Sequence, residues 1–362
     1  MSHTKSNTNE QVPRRPRAFL AGGAMVAIAA AAAATLPVQG AAAAPSGGEE
    51  CVLQELPMPE GLYFSIVTGM SADGSVIAYR AYPAGLDGDE RYPLLYEDGE
   101  VTEVPIPGLD QSLNDVNADG LAVGSGWVGE GNLPYVFEDG EVRELAANDG
   151  GAATGVNDDG VIVGTTGQGP FKPVKWLPGQ VKPVELPLPE GATGGGATAI
   201  DEDGTIVGSA GGDFEGKPYV WHPDGTGEEL PLPEGIDPET VAAFYASDVA
   251  GDWAVGYLLT SDSENAVRWN LEDGTVEVLD LNYSVGINED GTASGSVDPV
   301  AALQDEDGEL VELPGLVDPA ENWFGDNATS ISEDGELAAG QVFAGEDEFG
   351  NHILKAVTWE CD

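Results

Sequence analysis

The chain is poor in the residue types that most often carry chemistry. It has 2 Cys and 3 His among 362 residues, and its 13 Lys and Arg face 64 Asp and Glu. No Gly-x-Ser-x-Gly elbow, phosphate-binding loop or His-Glu-x-x-His motif occurs in it. Beyond the N-terminal region only His222 and His352 remain, each without a histidine neighbour for metal binding. We therefore expect no nucleophilic, phosphate-binding or zinc-dependent enzyme.

The scarcity of basic residues also limits the partners. The formal net charge is −51, and beyond Ala43 the count is 9 Lys and Arg against 63 Asp and Glu, a net charge near −54. Such a surface repels nucleic acid and anionic lipid, because both need Lys and Arg at the contact. We expect neither partner. The acidity is typical of a protein kept soluble in concentrated salt, and a general acidic bias of the source proteome is the alternative.

Residues 1–43 have the features of a secretory signal. A basic start precedes an alanine-rich apolar run (18–36) and a small-residue processing site. The run is almost long enough for a membrane anchor, but alanine is weakly apolar and the processing site follows at once. We predict cleavage after Ala43 by either the general or the twin-arginine route, and a secreted domain of residues 44–362 that does not insert into a membrane.

A repeated turn takes the place of any long helical pattern. Gly (51) and Pro (25) are abundant and the apolar runs are short, so an all-β fold is expected. The repeats are GMSADGSVIAYR, DVNADGLAVGSG, GVNDDGVIVGTT, AIDEDGTIVGSA, a degenerate DVAGDWAVGYL, GINEDGTASGSV and SISEDGELAAGQV. Their spacing of roughly 40 to 47 residues is typical of β-propeller blades.

A second motif alternates with the first. It is an aromatic strand that runs into another acidic turn, as in YVFEDG, YVWHPDG and VRWNLEDG, and a short VEL-type strand follows it. Each unit therefore supplies four strands, and Asp-Gly turns permit the positive φ angles of tight hairpins. The sequence predicts a seven-bladed β-propeller with four-stranded blades. Trp176, Trp221, Trp269 and Trp359 recur in register and are predicted to lie in blade cores.

The two ends of the mature chain are expected to meet. The last unit stops at its third strand, VTWECD, whereas CVLQELPMPEG, which starts at Cys51, matches the fourth-strand segment VKPVELPLPEG. The N-terminal strand is thus predicted to complete the last blade and close the ring, which removes exposed sheet edges. Cys51 and Cys361 then lie at the seam, where an exported protein is expected to form a disulfide.

The recurrent pattern INEDGxxxG…AVxW…DG…L resembles the extracellular HAF repeat family over nearly all of residues 51–362. The matching turns are Asn157–Gly160, Asp201–Gly204 and Asn288–Gly291, and the matching aromatics are the four tryptophans named above. The His-Ala-Phe core that names the family is not kept literally, since the equivalent strand here is PYVW or AVRW. The resemblance implies a secreted repeat protein. It implies no assigned activity and no catalytic residues.

Calcium is the one cofactor that the acidic turns could bind. The segment DVNADGLAV supplies Asp115, Asn117 and Asp119 of a calcium loop, but Val123 stands where a ninth-position Asp is needed. We expect a plain hairpin there, and no cofactor. Calcium binding by carboxylates of two longer loops is left open. One loop has Asp87, Asp89 and Glu90, and the other has Glu346, Asp347 and Glu348.

The variable loops are the expected place of binding. The connections from the second to the third strand of a blade, and from one blade to the next, share one face and vary in length, and such loops on a rigid scaffold usually carry function. Trp127 and Trp323 in these loops can stack on sugar rings, and Arg91 and Lys172 are rare positive groups. The alternative is that the aromatics only pack their own loops.

Together these features predict a secreted, monomeric, non-catalytic binding scaffold for an extracellular glycan or protein. A first alternative is a carboxylate-dependent polysaccharide hydrolase or lyase, because such enzymes need only two or three well-placed acids. The acids are too many for the sequence to single out a pair. A second alternative is a structural surface protein without a specific ligand.

Overall fold

The computed structural model describes residues 51–83, 90–147, 149–212, 216–347 and 350–361. They belong to one compact unit, residues 47–362, and the predicted signal segment lies outside the described residues. Within the described ranges, 28 strands form seven four-stranded antiparallel sheets, and no helix there is long and apolar enough to cross a membrane. The predicted all-β, seven-bladed propeller is confirmed.

Each blade has four strands, here named a to d from the centre of the ring outward. Blade 1 consists of β2 (Leu62–Met70), β3 (Val76–Pro83), β4 (Tyr92–Glu97) and β5 (Glu100–Glu103). Blade 2 consists of β6 (Leu109–Val116), β7 (Ala122–Val128), β8 (Gly131–Glu138) and β9 (Glu141–Glu144). Blade 3 consists of β10 (Gly151–Val156), β11 (Ile162–Thr166), β12 (Lys172–Trp176) and β13 (Pro183–Glu185). Blade 4 consists of β14 (Gly194–Ile200), β15 (Ile206–Gly211), β16 (Lys217–Trp221) and β17 (Gly227–Glu229).

The remaining three blades complete the ring. A short 3₁₀ helix, Pro238–Thr240, precedes blade 5. Blade 5 consists of β18 (Val241–Ala250), β19 (Trp253–Thr260), β20 (Glu264–Asn270) and β21 (Thr275–Val278). Blade 6 consists of β22 (Tyr283–Ile287), β23 (Ala293–Val297), β24 (Val300–Gln304) and β25 (Leu310–Glu312). Blade 7 consists of β26 (Asn327–Ile331), β27 (Leu337–Glu346), β28 (His352–Glu360) and β1 (Val52–Glu55).

The repeated Asn-x-Asp-Gly turn closes the a–b hairpin and also ties one blade to the next. In blade 3, Asn157 Oδ1 accepts a hydrogen bond from the Val161 amide at 3.0 Å, and Gly160 takes a positive φ of 73°. Asn157 Nδ2 donates to the Asp201 carbonyl of blade 4 at 3.0 Å. One blade earlier, Asn117 bonds the Asn157 carbonyl in the same way. Asn288 of blade 6 also bonds the next turn, so in blades 2, 3 and 6 one side chain meets two backbone requirements, whereas blades 1, 4 and 7 have Ser or Asp at this position.

The second motif has an equivalent role in the outer part of the blade. The four recurring tryptophans of strand c are at most 2% exposed, as predicted for blade-core residues. Because a buried indole N–H needs an acceptor, each Nε1 donates to a carbonyl of the connection that precedes its own blade. The acceptors, at 2.7–3.2 Å, are Ala146, Pro187, Pro231 and Pro314. The tryptophan and the Pro-rich connection therefore form one joint between blades.

The seam of the ring lies in blade 7, as predicted. Strand β1 pairs antiparallel with β28, with Val52 opposite Glu360. Cys51 and Cys361 form a disulfide across this pair, 310 residues apart in sequence. The N-terminal strand thus supplies the outermost strand of a sheet whose other three strands come from the C-terminus.

Replacing both Cys51 and Cys361 by serine is expected to lower the free energy of unfolding. A crosslink that closes so long a loop removes chain entropy from the unfolded state, which limits the stabilisation to about 5 kcal/mol. Urea unfolding with and without reductant measures the effect. Reductant should destabilise the wild type and leave the double variant unchanged. If the wild type were insensitive to reductant, the stabilising role of the Cys51–Cys361 bond would be contradicted.

The junction of blades 5 and 6 uses a different device. The turn of blade 5 has Ala250 in place of the bridging Asn, and Arg268 of strand c lies against blade 6 instead. Its guanidinium donates to the carbonyls of Gly291 and Asp305 and to Glu277 Oε1, and it lies 5.3 Å from the ring centroid of Trp253. With 1% exposure, Arg268 is a buried charge that satisfies both turns of the next blade.

Arg268→Met is therefore expected to lower the free energy of unfolding by about 3 kcal/mol, because it leaves buried carbonyls without donors. Arg143→Met is the matched control, since Arg143 makes an exposed ion pair with Glu138 at 3.1 Å and should lose less than about 1 kcal/mol. Chemical denaturation of both variants provides the comparison. Equal losses would contradict the bridging role of Arg268.

Candidate functional site

The propeller presents two faces around a central channel. The a–b and c–d turns lie on one, here called the hairpin face, and the b–c and blade-to-blade connections lie on the other, the loop face. A cavity of about 330 Å³ occupies the channel at its hairpin end. Its lining includes Val67, Asn114, Thr154, Thr198, Ser247, Val285 and Thr329, one from each strand a. All seven blades therefore contribute to it.

Each innermost strand carries a β-bulge at the same place. The residues that the bulges leave without a cross-strand partner are Thr68, Asn114, Thr154, Thr198, Ser247, Val285 and Thr329. A bulge turns a side chain away from its own ladder. Asn114 Nδ2 uses this freedom to donate to the Ala153 carbonyl at 2.7 Å, and Thr154 Oγ1 donates to the Ala197 carbonyl at 2.9 Å. Thr198 and Ser247 donate to the next inner strand in the same way, so four of the seven bulged residues link inner strands around the channel.

Two channel carboxylates lie beside the bulges. Asp115 Oδ2 accepts from the Val156 amide of blade 3 at 2.9 Å, and Asp248 Oδ2 accepts from the Ile287 amide of blade 6 at 3.1 Å. Burial inside the ring, which outweighs these hydrogen bonds, raises the pKa of Asp115 to about 8 and that of Asp248 to about 6. Both acids are anchored to a neighbouring blade.

More acids surround the hairpin end of the channel. Glu202 Oε2 accepts from the Asp158 amide at 2.8 Å, and burial followed by the charge of Asp158 raises the pKa of Glu202 to about 7. Burial also raises the pKa of Asp201 to about 6, and it raises the pKa of Glu333, to which the nearby Glu289 adds. No Lys, Arg or His is among the described residues that line this cavity. The channel therefore carries an uncompensated negative potential.

This geometry favours a structural role for the channel acids. In the described ranges no three His, Cys, Asp or Glu side chains lie close enough to hold a metal ion. The segment DVNADG forms a hairpin, as predicted: Asp115 bonds blade 3, Asn117 bonds its own turn and the next, and Asp119 lies at the exposed turn. Asp87, Asp89 and Glu348, named for calcium, lie outside the described residues, so the expectation of no cofactor stays a prediction and calcium at those loops stays open.

The loop face holds the most exposed aromatic residue that the sequence singled out. Trp323 is 61% exposed, in the connection between blades 6 and 7. Its ring lies edge-on to His352, with centroids 4.3 Å apart, and contacts Phe324 and Phe343 at 6.1 and 5.9 Å. Phe324 is itself 47% exposed. Trp323 therefore contacts three neighbouring rings and still leaves 61% of its surface to solvent.

The backbone around Trp323 is fixed by buried polar groups. Asn322, 4% exposed, donates to the Pro299 carbonyl at 3.2 Å and to Asp326 Oδ1 at 2.8 Å. Asp326 Oδ1 also accepts from the Phe343 amide at 2.8 Å. Because both sides of the tryptophan are held, its ring is presented in a defined position. Preorganisation of this kind reduces the entropy lost on binding.

The other predicted binding residues lie on different blades. Trp127, 44% exposed, is the penultimate residue of β7 and pairs with Leu109. Arg91 forms an ion pair with Asp110 at 2.8 Å, and Lys172 Nζ donates to the Thr193 carbonyl at 2.8 Å. Trp127 and Arg91 thus contact the consecutive residues Leu109 and Asp110 of blade 2. Lys172 is in blade 3, and Trp323 precedes blade 7. The four residues do not form one cluster.

The sequence reasoning missed a recess on the loop face over blade 4. Its volume is about 440 Å³, and the aromatic side chains in its lining are Phe171, Phe244 and Tyr245. Glycines of blade 4, including Gly195 and Gly196, form another part of the lining. The run GATGGGA could have indicated this recess. A strand with three adjacent glycines has no side chains to fill the space beside it, and residues of the neighbouring blades then line that space.

Comparisons with known proteins agree on the fold. No family model and no curated protein matches the chain, so the HAF resemblance stays a prediction. Among solved structures, virginiamycin B lyase from Staphylococcus aureus is similar at 15% identity and a TM-score of 0.54, over 85% of this chain and 99% of that one. Oligogalacturonate lyase from Vibrio parahaemolyticus is similar at 10% identity and a TM-score of 0.54, over 86% and 96%. At such identities the likeness is one of fold.

Lowering the pH from about 9 to about 5 is expected to raise the free energy of unfolding. The folded-state pKa values of Asp115, Glu202 and Asp248, at about 8, 7 and 6, lie above the unfolded-state values near 4. In this window the folded protein binds more protons than the unfolded chain, so stability is gained as the pH falls.

Asp115→Asn tests which group is responsible. The amide oxygen keeps an acceptor for the Val156 amide while the ionisable group is removed, so the variant should be more stable than the wild type at about pH 9, by about 1–3 kcal/mol, and less dependent on pH. Asp119→Asn, at the exposed turn, is the control and should retain the wild-type profile. Urea titrations across the pH range measure both. An unaltered profile in Asp115→Asn would refute the assignment.

Proposed function

We propose that the chain is a secreted, non-catalytic scaffold that binds an extracellular glycan through its loop face. The observation that carries the proposal is Trp323, largely exposed yet held by Asn322, Asp326 and an aromatic cluster. An aromatic face of this kind stacks on the apolar face of a sugar ring. Export is supported by the signal-like residues 1–43 and by a disulfide of the type that persists outside the cytosol.

A carboxylate-dependent hydrolase or lyase is the second candidate. The raised pKa of Asp115, about 8, favours it, because perturbed carboxyl groups are frequent at active sites. The anchoring of Asp115 and Asp248 to neighbouring blades opposes it, since a catalytic acid must be free to reach substrate. The binding scaffold accounts for both the anchored acids and the exposed loop aromatics.

The two candidates separate in a single experiment. The exported protein is incubated with insoluble cell-wall and plant polysaccharides in about 1 M salt, where the screening length is about 3 Å. Depletion of protein from solution and new reducing or unsaturated ends are scored in the same tubes. Depletion without product is the expected result. Product formation would establish an enzyme, and no depletion by any polysaccharide would overturn the glycan proposal.

Trp323→Ala is expected to weaken this binding about tenfold, because it removes the stacking surface. Leu177→Ala is the matched control, since Leu177 is 36% exposed in a c–d turn on the opposite, hairpin face. Binding isotherms on the retained polysaccharide give the ratio. If both variants bind as the wild type does, the loop at Trp323 is not the binding surface.

A further inference from the structure

The a–b turn of blade 4 has an acid at the position where three other turns have a bridging asparagine. Asn117, Asn157 and Asn288 each close their own turn through Oδ1 and reach the next blade through Nδ2. Asp201 is the equivalent residue of blade 4. Its Oδ1 accepts a hydrogen bond from the Thr205 amide at 2.8 Å, so it closes its own turn as the asparagines do.

The second oxygen of Asp201 has no partner. Because Oδ1 has the same role as the asparagine Oδ1, Oδ2 lies where the asparagine turns present the Nδ2 donor. Asp201 is 6% exposed, and its Oδ2 is enclosed without a hydrogen-bond partner among the described residues. A buried polar atom without a partner requires an explanation. Only a proton on Oδ2 would turn this acceptor into the donor that the position has elsewhere.

The junction of blades 4 and 5 lacks a hydrogen bond at its hairpin end. The turn of blade 5, residues 250–253, has Ala250 at the bridging position. In the described ranges no hydrogen bond joins this turn to the turn of blade 4. Farther into the ring, Thr198 Oγ1 donates to the Ala246 carbonyl at 3.0 Å. The two blades are therefore bonded to each other along their inner strands but not at their turns.

The charges around Asp201 favour its protonated form. The titratable groups on the neighbouring turns and strand ends of blades 3, 4 and 5 are all acids: Asp158, Glu202, Asp203, Asp248 and Asp252. The nine Lys and Arg that follow Ala43 all lie in the described ranges, and none of them lines the channel here. Burial, to which the charge of Asp203 adds, outweighs the backbone hydrogen bonds and raises the pKa of Asp201 to about 6.

We propose that a proton on Asp201 completes the junction of blades 4 and 5, so that the hairpin end of this junction is bonded or unbonded according to pH. The protonated Oδ2 donates to a backbone carbonyl of residues 250–253, as the asparagine Nδ2 does in the other turns. When the proton is lost to solvent, Oδ2 can only accept, and the bond to blade 5 is broken. The bonds of Thr198 and Trp269 at the same junction do not titrate, so the ring stays closed.

The pH range of the effect follows from the two states of the carboxyl group. Its pKa of about 6 in the folded protein lies above the value near 4 of an unfolded chain. The stability that Asp201 contributes is therefore fully present below about pH 4 and is lost as the pH rises through about 6. A difference of about two pKa units corresponds to an about 100-fold change in the folding equilibrium constant.

Asp201→Asn supplies a donor that does not depend on pH. Three other turns already have asparagine at this position, so the variant is expected to fold. Its folding equilibrium constant should exceed that of the wild type at least tenfold at about pH 8 and match it at about pH 4.5. Urea unfolding at both pH values measures the ratio. An equal or smaller constant than that of the wild type at pH 8 would overturn the proposal.

Asp159→Asn is the matched control. It removes one negative charge from the exposed turn of blade 3, at a position that does not bridge blades, and should keep the pH dependence of the wild type. If Asp159→Asn gained as much stability at pH 8 as Asp201→Asn, general charge repulsion would explain the gain, and the proposal would fail.

Asn157→Asp makes the reciprocal change at the junction of blades 3 and 4. If a protonated carboxyl group can replace the bridging amide, this variant should match the wild type at about pH 4.5 and lose at least tenfold in folding equilibrium constant at about pH 8. An equal loss at both pH values would show that the carboxyl group does not form the bridge.

Amide hydrogen exchange locates the effect within the ring. At about pH 8 the amides of residues 250–253 should exchange at least threefold more slowly in Asp201→Asn than in the wild type, because only the variant has a donor to this turn. Equal exchange rates would assign any gain in stability to the lost charge alone and would overturn the proposed bond. The junction lies on the hairpin face, so neither result depends on glycan binding at the loop face.

Discussion

Hydrogen bonds from side chains of one blade to the backbone of a neighbouring blade or connection hold this ring together. A single four-stranded blade has two apolar faces and cannot bury them alone, so each blade is stable only between two others. Asn157 provides such a bond at the hairpin end, Thr154 provides one at the bulge, and Trp221 provides one farther out. Arg268 supplies the equivalent contact where the turn of blade 5 lacks its asparagine.

The same requirement explains the state of the channel. Seven strands converge there, and bulges turn their polar groups toward neighbouring blades. Asp115 and Asp248 each accept a hydrogen bond from an amide of the adjacent blade, and burial in this confined space raises the pKa of both carboxyl groups, which favours their protonated form. Trp323, by contrast, lies on the loop face and is 61% exposed.

Most of the architecture could be predicted from the sequence because local chemistry determines it. The Asp-Gly turns, the 40-residue period and the tryptophans in register each report on a single blade, and the match of the segment after Cys51 to a fourth strand located the seam. Arg268 and the bulge residues could not be assigned, since their partners lie about 40 residues away on another blade. Asp115 was hidden among 64 acids, of which only burial distinguishes it.

The candidate binding residues illustrate the same limit. Residue type correctly selected Trp323 as an exposed aromatic on the loop face, and its blade number already placed it away from Lys172. Arg91 and Trp127 were also selected by residue type, but only the pairing of β6 with β7 shows that both lie beside the start of β6.

The disulfide between Cys51 and Cys361 has a topological consequence. It converts the propeller into a covalent circle in which no blade is first or last. A protease that cuts one loop of such a circle opens it into a linear chain and releases no fragment, because both new ends remain connected through the sulfur bridge. The fold would thus tolerate a single nick at any variable loop of the loop face. Two cuts are needed before a blade can be lost.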